Sequence, residues 1–235
     1  MTEATAPPGS MGKVGDGRHD PVMRSSVHRK HADLGATFER RGAWLVPALY
    51  GSLDEEIAAV RTTLGFADVS ARGKLQLSGA VDDHVRFLAG ATLEPLHTAP
   101  VTSRGLLARI ARDWGLALLE PSAERDVMLA LAERETDHAL ATDVTCALSG
   151  FLIAGPLLAG FLARTVHENL SGVLPGRCAA ASWARIPAVL VMKDLASPAV
   201  EIYVSSDHGR YAWEVLQRLG GTPIGWRALE QWGWR

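Results

Sequence analysis

Residues 65–79, GFADVSARGKLQLSG, hold the pattern that decides how the N-terminal half is interpreted. At the end of this stretch leucines alternate with polar residues (LQLS, 75–78), and this period of two predicts a half-buried strand over 74–78. Just before the strand, polar side chains stand at every second position: Asp68, Ser70, Arg72 and Lys74. Two interpretations are open: the four form the wet face of a strand, or they form the rim of a site.

The composition is that of an ordinary globular protein. The 235 residues allow one large domain or two small ones, and 47% of them are hydrophobic against 21% charged, so a sizeable core is expected. The formal net charge is −2. Proteins that bind nucleic acid normally carry a surplus of Lys and Arg, so no nucleic-acid partner is predicted.

The two cysteines, Cys146 and Cys178, are far apart and form no Cys-x-x-Cys pair. This usage is typical of two reduced structural thiols in a cytoplasmic protein. Ligand clusters for zinc or iron–sulfur are absent from the sequence, so no metal site is predicted. The eight histidines are scattered, and the charges around His28 and His31 favour a solvated face for that pair.

The N-terminal residues 1–24 are rich in Gly, Pro and Ser and hold no apolar run. They are predicted to be a disordered tail rather than a signal peptide. The most apolar window, 151–166, is interrupted by Gly155, Pro156, Gly160 and Arg164 and is too short to span a bilayer. No membrane partner is therefore predicted.

Helix caps, periodicity and turn residues predict a block of strand, helix, strand and strand that occurs twice. Ser52 and Glu55 form a capping-box pattern in front of a helix. The predicted helices are 53–64, 81–88, 122–134, 156 to about 170, and 206–219; the predicted strands are 74–78, two within 104–119, 151–154, 187–193 and 199–205, with 139–146 extended. The fold class is α+β, with two related subdomains of mixed or antiparallel sheet and covering helices, at about 25–135 and 136–235. A Rossmann fold is not supported, because no Gly-x-Gly-x-x-Gly motif joins a strand to a helix.

Two further features carry candidate chemistry. In AVEIYV (199–204) Glu201 and Tyr203 share one face of a strand, and periodicity alone favours an outer, solvated face. If that face lined a cleft, the Glu201 carboxylate could accept two N–H bonds from a planar heterocycle. Three tryptophans, Trp226, Trp232 and Trp234, crowd the end of the sequence, where packing or an interface is favoured over a stacking site.

Several segments together resemble the glycine-cleavage T-protein (aminomethyltransferase) family. SLDEEIAAVRTTLGFADVSARGKLQLSG (52–79) resembles that family's N-terminal signature, LSGFLIAGP (148–156) its second-repeat strand, and VEIYV (200–204) its Gly-x-Glu-Ile-x-Val segment. The second half also looks like the gamma subunit of heterotetrameric sarcosine oxidase, with TDVT (142–145), Gly-Pro, PGRC (175–178), a strand pair and a Trp-bearing helix in the same order. The resemblance covers about 25–230.

The resemblance implies two α+β subdomains around a folate site, here without the C-terminal barrel that T-proteins add. Glu201 matches the family glutamate that holds the pterin ring, and Tyr203 lies on its face. Arg72 stands where the family has Met, and its guanidinium would meet a folate glutamate tail, a partner's carboxylate or solvent. Arg227 is the nearest match to a late folate-contacting arginine, although a gap-free alignment puts Leu229 there.

Some departures from the family bear on catalysis. The family's catalytic aspartate falls in GATLEPL (90–96), where Thr92 or Glu94 is nearest, and Glu94 is the candidate catalytic carboxylate. LASPA (195–199) replaces the segment that carries the family's folate tyrosine, and the iron–sulfur-assembly motif of the superfamily is absent.

Two functions are compatible with this pattern. In the first, the chain binds tetrahydrofolate as a cofactor and accepts a one-carbon unit from a small N-methyl amine. This chemistry requires little beyond a held folate nitrogen and the transfer of one proton. The chain could carry out this function as the gamma-like subunit of a sarcosine oxidase-type complex. In the second, the chain is a non-catalytic structural subunit of a flavin-containing amine oxidase, with a degenerate folate site. A solitary α+β protein with a degenerate site is the remaining interpretation.

Overall fold

The stretch 65–79 forms two strands that belong to different sheets. In the computed structural model, which describes residues 22–101, 105–134, 138–168, 175–193, 195 and 197–234, Gly65–Asp68 is one strand and Gly73–Gly79 is the next. The first lies in a six-stranded sheet and the second in a five-stranded sheet. Residues 69–72 therefore carry the chain from one sheet to the other.

The remaining elements follow in chain order. The strands are β1 (Thr37–Arg41), β2 (Trp44–Leu49), β3 (Gly65–Asp68), β4 (Gly73–Gly79), β5 (His97–Val101), β6 (Gly105–Ala111), β7 (Trp114–Leu119), β8 (Ala139–Asp143), β9 (Leu148–Ala154), β10 (Cys178–Trp183), β11 (Ile186–Lys193), β12 (Ala199–Ser205) and β13 (Thr222–Pro223). The helices are α1 (His28–Asp33), α2 (Leu53–Thr62), α3 (Asp82–Ala89), α4 (Glu124–Ala132), α5 (Leu158–Thr165), α6 (Gly209–Arg218) and α7 (Trp226–Trp232).

The sheet topology confirms the predicted α+β class. The six-stranded sheet has the order β10-β11-β12-β9-β3-β13, and its pairs are antiparallel except for the parallel pair of β13 and β3. The five-stranded sheet, β5-β6-β7-β4-β8, is antiparallel throughout. Strands β1 and β2 form a separate hairpin. In the described ranges these sheets are open, and none closes into a barrel.

Four hydrophobic clusters hold the layers together. Helices α5 and α6 cover one face of the six-stranded sheet, with Phe161 and Trp213 in that core, and α2 and α7 cover its other face around Trp226. Helices α3 and α4 cover the five-stranded sheet. The fourth cluster joins residues of β6 and β7, such as Leu116, to residues of β11 and β12, such as Val191, so the two sheets pack against each other.

Local sequence signals located most elements correctly. Ser52 Oγ accepts from the Glu55 amide and the Glu55 side chain returns to the Ser52 amide, which confirms the capping box. The two strands within 104–119 are also confirmed, as β6 and β7. The helix predicted from 156 to about 170 is shorter, because α5 ends at Thr165 and the next residue, Val166, is extended and forms a bridge to Trp183. Residues 169 and 170 of that prediction lie outside the described residues.

Other predictions require correction or stay open. The helix predicted over 206–219 starts later. Ser206–His208 form a 3-10 turn, and α6 itself starts at Gly209 without a side-chain cap. Residues 1–21 of the predicted tail lie outside the described residues. The division at about 135 stays a prediction, although β3 from the first half joins the six-stranded sheet and β8 from the second half joins the five-stranded sheet.

Candidate functional site

The polar alternation before β4 is not the wet face of a strand. Asp68, Ser70, Arg72 and Lys74 are all buried. The Ser70 amide donates to Asp68 Oδ1 at 2.9 Å, and Ser70 Oγ accepts from the amide of Gly150 on β9 at 3.0 Å. These bonds tie the 69–72 segment to the six-stranded sheet. Buried polar groups are stable only when they are hydrogen-bonded, and this segment meets that condition locally.

Lys74 fixes the turn from the other side. Its Nζ donates to the carbonyls of Ser70 and Arg72, at 2.7 and 2.8 Å, and its amide donates to Thr145 Oγ1 at 2.9 Å. Burial disfavours the charged amine and lowers the pKa of Lys74 to about 8. The ammonium group thus stabilises the backbone that orients Arg72.

Arg72 reaches from this turn into the space between the sheets. Its Nη2 donates to the Leu118 carbonyl on β7 at 2.9 Å, and its Nη1 donates to Glu201 Oε1 on β12 at 2.8 Å. One guanidinium therefore links both sheets. Burial opposes the charged guanidinium, but the charge of Glu201, the hydrogen bond to it and the further acidic groups nearby together outweigh burial and raise the pKa of Arg72.

Glu201 is fully buried and receives donors from four directions. Besides Arg72, Trp234 Nε1 donates to Oε1 at 2.8 Å, Tyr203 Oη donates to Oε2 at 2.7 Å, and Lys193 Nζ lies 3.3 Å from Oε1. Burial alone would raise the pKa of this carboxyl. The two cations and the hydrogen bonds overcome that effect and lower the pKa to about 2.

The outer, solvated face that periodicity favours for Glu201 and Tyr203 is wrong. Strand β12 is buried on both faces down to Val204, because the five-stranded sheet covers the side that would otherwise face water. The Tyr203 ring lies against Gly150, where an added Cβ would stand only 2.6 Å from Cε1. Burial and the charge of Glu201 raise the pKa of Tyr203 well above its usual value, so the phenol stays a donor.

A hollow of about 600 Å³ opens beside this cluster. Trp226 and Trp234 form aromatic walls and meet edge to face, with ring centroids 5.3 Å apart. The hollow is also lined by two guanidinium groups and two carboxylates, those of Arg41, Arg72, Glu120 and Glu230. Ligand pockets typically measure about 300–1,000 Å³ and combine apolar walls with a few convergent polar groups, and this hollow matches both criteria.

One polar atom at this hollow lacks a partner. Arg72 lines the hollow, its side chain is 2% exposed, and its Nε has no hydrogen-bond partner among the described residues. A buried donor without an acceptor costs free energy unless a ligand or water satisfies it. This unpartnered N–H therefore marks a position where an acceptor atom of a ligand would be stabilised.

The residues predicted from the sequence fall into two groups. Arg72, Glu201 and Tyr203 come together between the sheets. Arg227 is exposed on α7, with Nε 3.2 Å from Glu39 Oε2, and Glu94 is exposed on the connection between α3 and β5. Neither belongs to the residues that line the described hollow. Their roles stay predictions.

Sequence reasoning missed the groups that complete the site. Lys193, Arg41 and Glu120 carry no local pattern that separates them from surface charges. The tryptophans did carry a signal: Trp226 and Trp234 are buried packing residues, as predicted for the crowded aromatic segment, and they also line the hollow.

A second buried polar network lies on the other side of β3. His31 Nε2 is 2.8 Å from Asp68 Oδ2, and His31 Nδ1 is 2.7 Å from the Tyr50 hydroxyl. The solvated face predicted for His31 is therefore wrong. The ring is buried because α1 packs on the sheet core, where His31 meets Trp213 edge to face at 4.9 Å. Across the described ranges, no group of three or more His, Cys, Asp and Glu side chains has the arrangement of a metal site.

Comparison with known proteins identifies proteins that are similar to this chain in sequence or in fold. No protein-family model matches the chain. It is 32% identical over 139 residues to a probable aminomethyltransferase of Halobacterium salinarum, covering 52% of this chain and 37% of that protein. It is 23% identical over 217 residues to an aminomethyltransferase of Bacillus pumilus, covering 85% of this chain and 59% of that protein. The glycine cleavage system aminomethyltransferase T of Bartonella henselae superposes with a TM-score of 0.77 over 90% of this chain and 62% of that one, at 14% identity.

The chain is therefore similar in sequence to aminomethyltransferases and shares the fold of one of them. It spans only about 37% to 59% of the length of these curated relatives. A chain of the heterotetrameric sarcosine oxidase of Corynebacterium sp. U-96 also superposes on it, with a TM-score of 0.62 and 14% identity over 91% of this chain and 97% of that one. None of the helices in the described part of this chain has the length and apolar character needed to cross a bilayer.

Proposed function

We propose that the chain binds tetrahydrofolate in the hollow beside Arg72 and accepts onto it a one-carbon unit at the oxidation level of formaldehyde, which a flavin-dependent amine oxidase releases from a small N-methyl amine with its flavin as the oxidant. The observation that carries the proposal is the buried, unpartnered Arg72 Nε at the wall of an aromatic hollow of about 600 Å³. Similarity in sequence and in fold to aminomethyltransferases supports the choice of ligand. The relatives are longer than this chain, so their activity is transferred here only as a proposal.

The side chains around the hollow suit a flat heterocycle with an anionic tail. The Trp226 ring offers apolar surface to a planar ring. Arg72 Nε would donate to an acceptor of that ring, and Arg41 supplies a second guanidinium for a carboxylate. Glu201 lies directly behind Trp234 and would complete recognition of ring N–H groups once it is accessible.

Tetrahydrofolate, when bound, supplies the ring nitrogens that take up the one-carbon unit. The work left to the protein is to orient the ring, exclude competing water and move one proton. Glu120 and Glu230 are the carboxylates that line the hollow, and Glu230 is paired with Arg41 at 2.7 Å. Glu120 is therefore the carboxylate we assign to the proton transfer.

Calorimetric titration of the purified chain with tetrahydrofolate under reducing conditions tests the binding proposal. We expect saturable binding with one site per chain, and a loss of at least tenfold in affinity for Arg72→Gln. Arg164→Gln is the matched control, because Arg164 is exposed on α5, on the other side of the six-stranded sheet. No binding at high micromolar tetrahydrofolate to the folded wild-type chain overturns the proposal.

A second function is favoured by one specific observation. The superposition on a chain of the heterotetrameric sarcosine oxidase covers 97% of that chain, so the two are of comparable length. Leu129, Leu140 and Leu157 are more than half exposed, at 62%, 52% and 56%, and would suit a subunit contact. In this alternative the chain is a structural partner of flavin-containing amine oxidase subunits.

Purification of the tagged chain from its native cell distinguishes the two functions. A stoichiometric complex with a flavin-absorbing oxidase supports the subunit role. A stable monomer that co-purifies with nothing excludes it. We also propose a cytoplasmic location, which is consistent with free thiols at Cys146 and Cys178.

A further inference from the structure

Trp234 separates the hollow from Glu201, the most buried carboxylate among the described residues. Its ring lines the hollow, and its Nε1 donates to Glu201 Oε1 at 2.8 Å. Glu201 is itself fully buried and is not among the residues that line the hollow in the described structure. A ligand in the hollow therefore meets the indole first and reaches Glu201 only if that indole moves.

The attachment of Trp234 differs from that of the other donors to Glu201. Tyr203 and Lys193 stand on paired strands, and Arg72 follows a turn that is fixed by buried hydrogen bonds. Trp234 lies beyond the end of α7, after Gly233, which has a φ of +93°. Its backbone bond runs to Leu229 at 3.0 Å, within the same short segment. Release of the indole would cost its edge-to-face contact with Trp226 and the Arg72 guanidinium that lies 5.3 Å above its ring, but it would break no strand pairing.

We infer that Trp234 is an internal stand-in for the ligand: its indole N–H occupies the place on Glu201 that a ring N–H of the bound heterocycle takes, and ligand entry displaces it. The inference rests on the proposed folate function. It states that displacement of the Trp234 indole is the event that makes Glu201 accessible to the ligand. It also restricts the ligand class to planar rings that carry an N–H donor.

The charges around Glu201 are compatible with this exchange. If the indole leaves, Oε1 loses one donor but keeps Arg72 and Lys193, and Oε2 keeps Tyr203, so the carboxylate remains ionised and ready to accept.

The first test compares the binding of 5-formyltetrahydrofolate, a stable probe, to wild-type chain and to Trp234→Phe. Phenylalanine keeps an aromatic wall but removes the N–H that competes for Glu201. Because a hydrogen bond to a charged group is worth enough to change affinity by about tenfold or more, we expect Trp234→Phe to bind the probe about tenfold more tightly. Trp232→Phe, on the same segment but outside the lining of the hollow, is the matched control and should bind like wild type.

The second test needs no variant. Hydroxyl-radical footprinting with mass spectrometry measures oxidation of Trp234, which is 6% exposed, relative to Trp114, which lies away from the hollow on β7. We expect oxidation of Trp234 to rise when the probe saturates the wild-type chain. Binding with unchanged Trp234 oxidation and unchanged affinity in Trp234→Phe overturns this inference and leaves the folate proposal intact. Binding to neither chain overturns both.

Discussion

Arg72 and Glu201 are 129 residues apart in sequence and form a fully buried ion pair, with Arg72 Nη1 2.8 Å from Glu201 Oε1. The same guanidinium donates to the Leu118 carbonyl of the five-stranded sheet, while Glu201 belongs to the six-stranded sheet. The pair is thus a polar contact between the two layers of the fold, and of its two members only Arg72 lines the hollow of the proposed ligand site.

Removing only the cation of this pair should be strongly destabilising. In Arg72→Met the Glu201 carboxylate stays buried with fewer donors, and breaking one partner of a buried pair typically costs about 3–5 kcal/mol. Urea denaturation followed by circular dichroism measures the effect. The double variant Arg72→Met with Glu201→Gln should lose less than the sum of the single losses, because neither charge remains unpaired. Additive losses would show that the two side chains do not interact.

Acid should weaken the protein through Glu201. Its pKa of about 2 in the folded state lies below the ordinary value of 4.5, so the unfolded chain takes up the proton first. The stabilisation is complete above about pH 4.5 and is lost as the pH falls from 4.5 towards 2. Free energies of unfolding measured between pH 6 and pH 3 should fall more steeply for wild type than for Glu201→Gln. Parallel profiles would contradict this assignment.

Alkaline pH should increase the stability of the folded protein through Lys74, whereas acid decreases it through Glu201. Its pKa of about 8 in the folded state lies below the ordinary value of 10.5, so between these values the unfolded chain binds more protons. Stability conferred by this group therefore rises as the pH increases from 8 towards 10.5, by at most about 3 kcal/mol. Wild type should gain stability over this range relative to Lys74→Met. Lys30→Met, which removes a surface ion pair with Glu214, should keep the wild-type slope.

The choice between Glu120 and Glu94 can be settled by kinetics. Glu120 lines the hollow, whereas Glu94 is exposed on the loop before β5. With an N-methyl amine oxidase supplying the one-carbon unit and the spontaneous rate subtracted, Glu120→Gln should lower the rate of methylenetetrahydrofolate formation about 100-fold, within the range of a lost proton-transfer group. Its affinity for tetrahydrofolate should change little, and Glu94→Gln should behave as wild type. The reverse pattern would restore Glu94 as the catalytic residue.

Local patterns were sufficient for elements that are stabilised locally. Ser52 and Glu55 marked the start of α2, and the turn near 112–115 separated β6 from β7. The sequence could not show that the consecutive strands β3 and β4 belong to different sheets, because strand pairing depends on contacts between residues that are distant in sequence. For the same reason the sequence pattern predicted that Glu201 and Tyr203 lie on the surface. An alternating strand has one polar face whether that face is covered by water or by a second sheet, so the pattern does not distinguish the two cases.

The site was predictable only in part. Arg72, Glu201 and Tyr203 were identified because they stand at positions that match a known family's motifs. Trp234 could not be assigned to Glu201, because the two meet across 33 residues that include a helix, a turn and a second helix. The burial of His31 was missed because its neighbours in sequence are charged, while its neighbours in space are Asp68, Tyr50 and Trp213.

The passage of residues 69–72 between the two sheets also bears on how the chain folds. Strand β3 pairs with β9, which lies more than 80 residues later in the sequence. Strand β4 pairs with β8, which is also far from it in the sequence. Contacts of such high sequence separation slow folding, because loop-closure entropy is lost before the contacts form. Both layers must assemble around the same short crossover before Arg72 can meet Glu201. The ion pair is therefore expected to close late, so its removal should accelerate unfolding far more than it retards refolding.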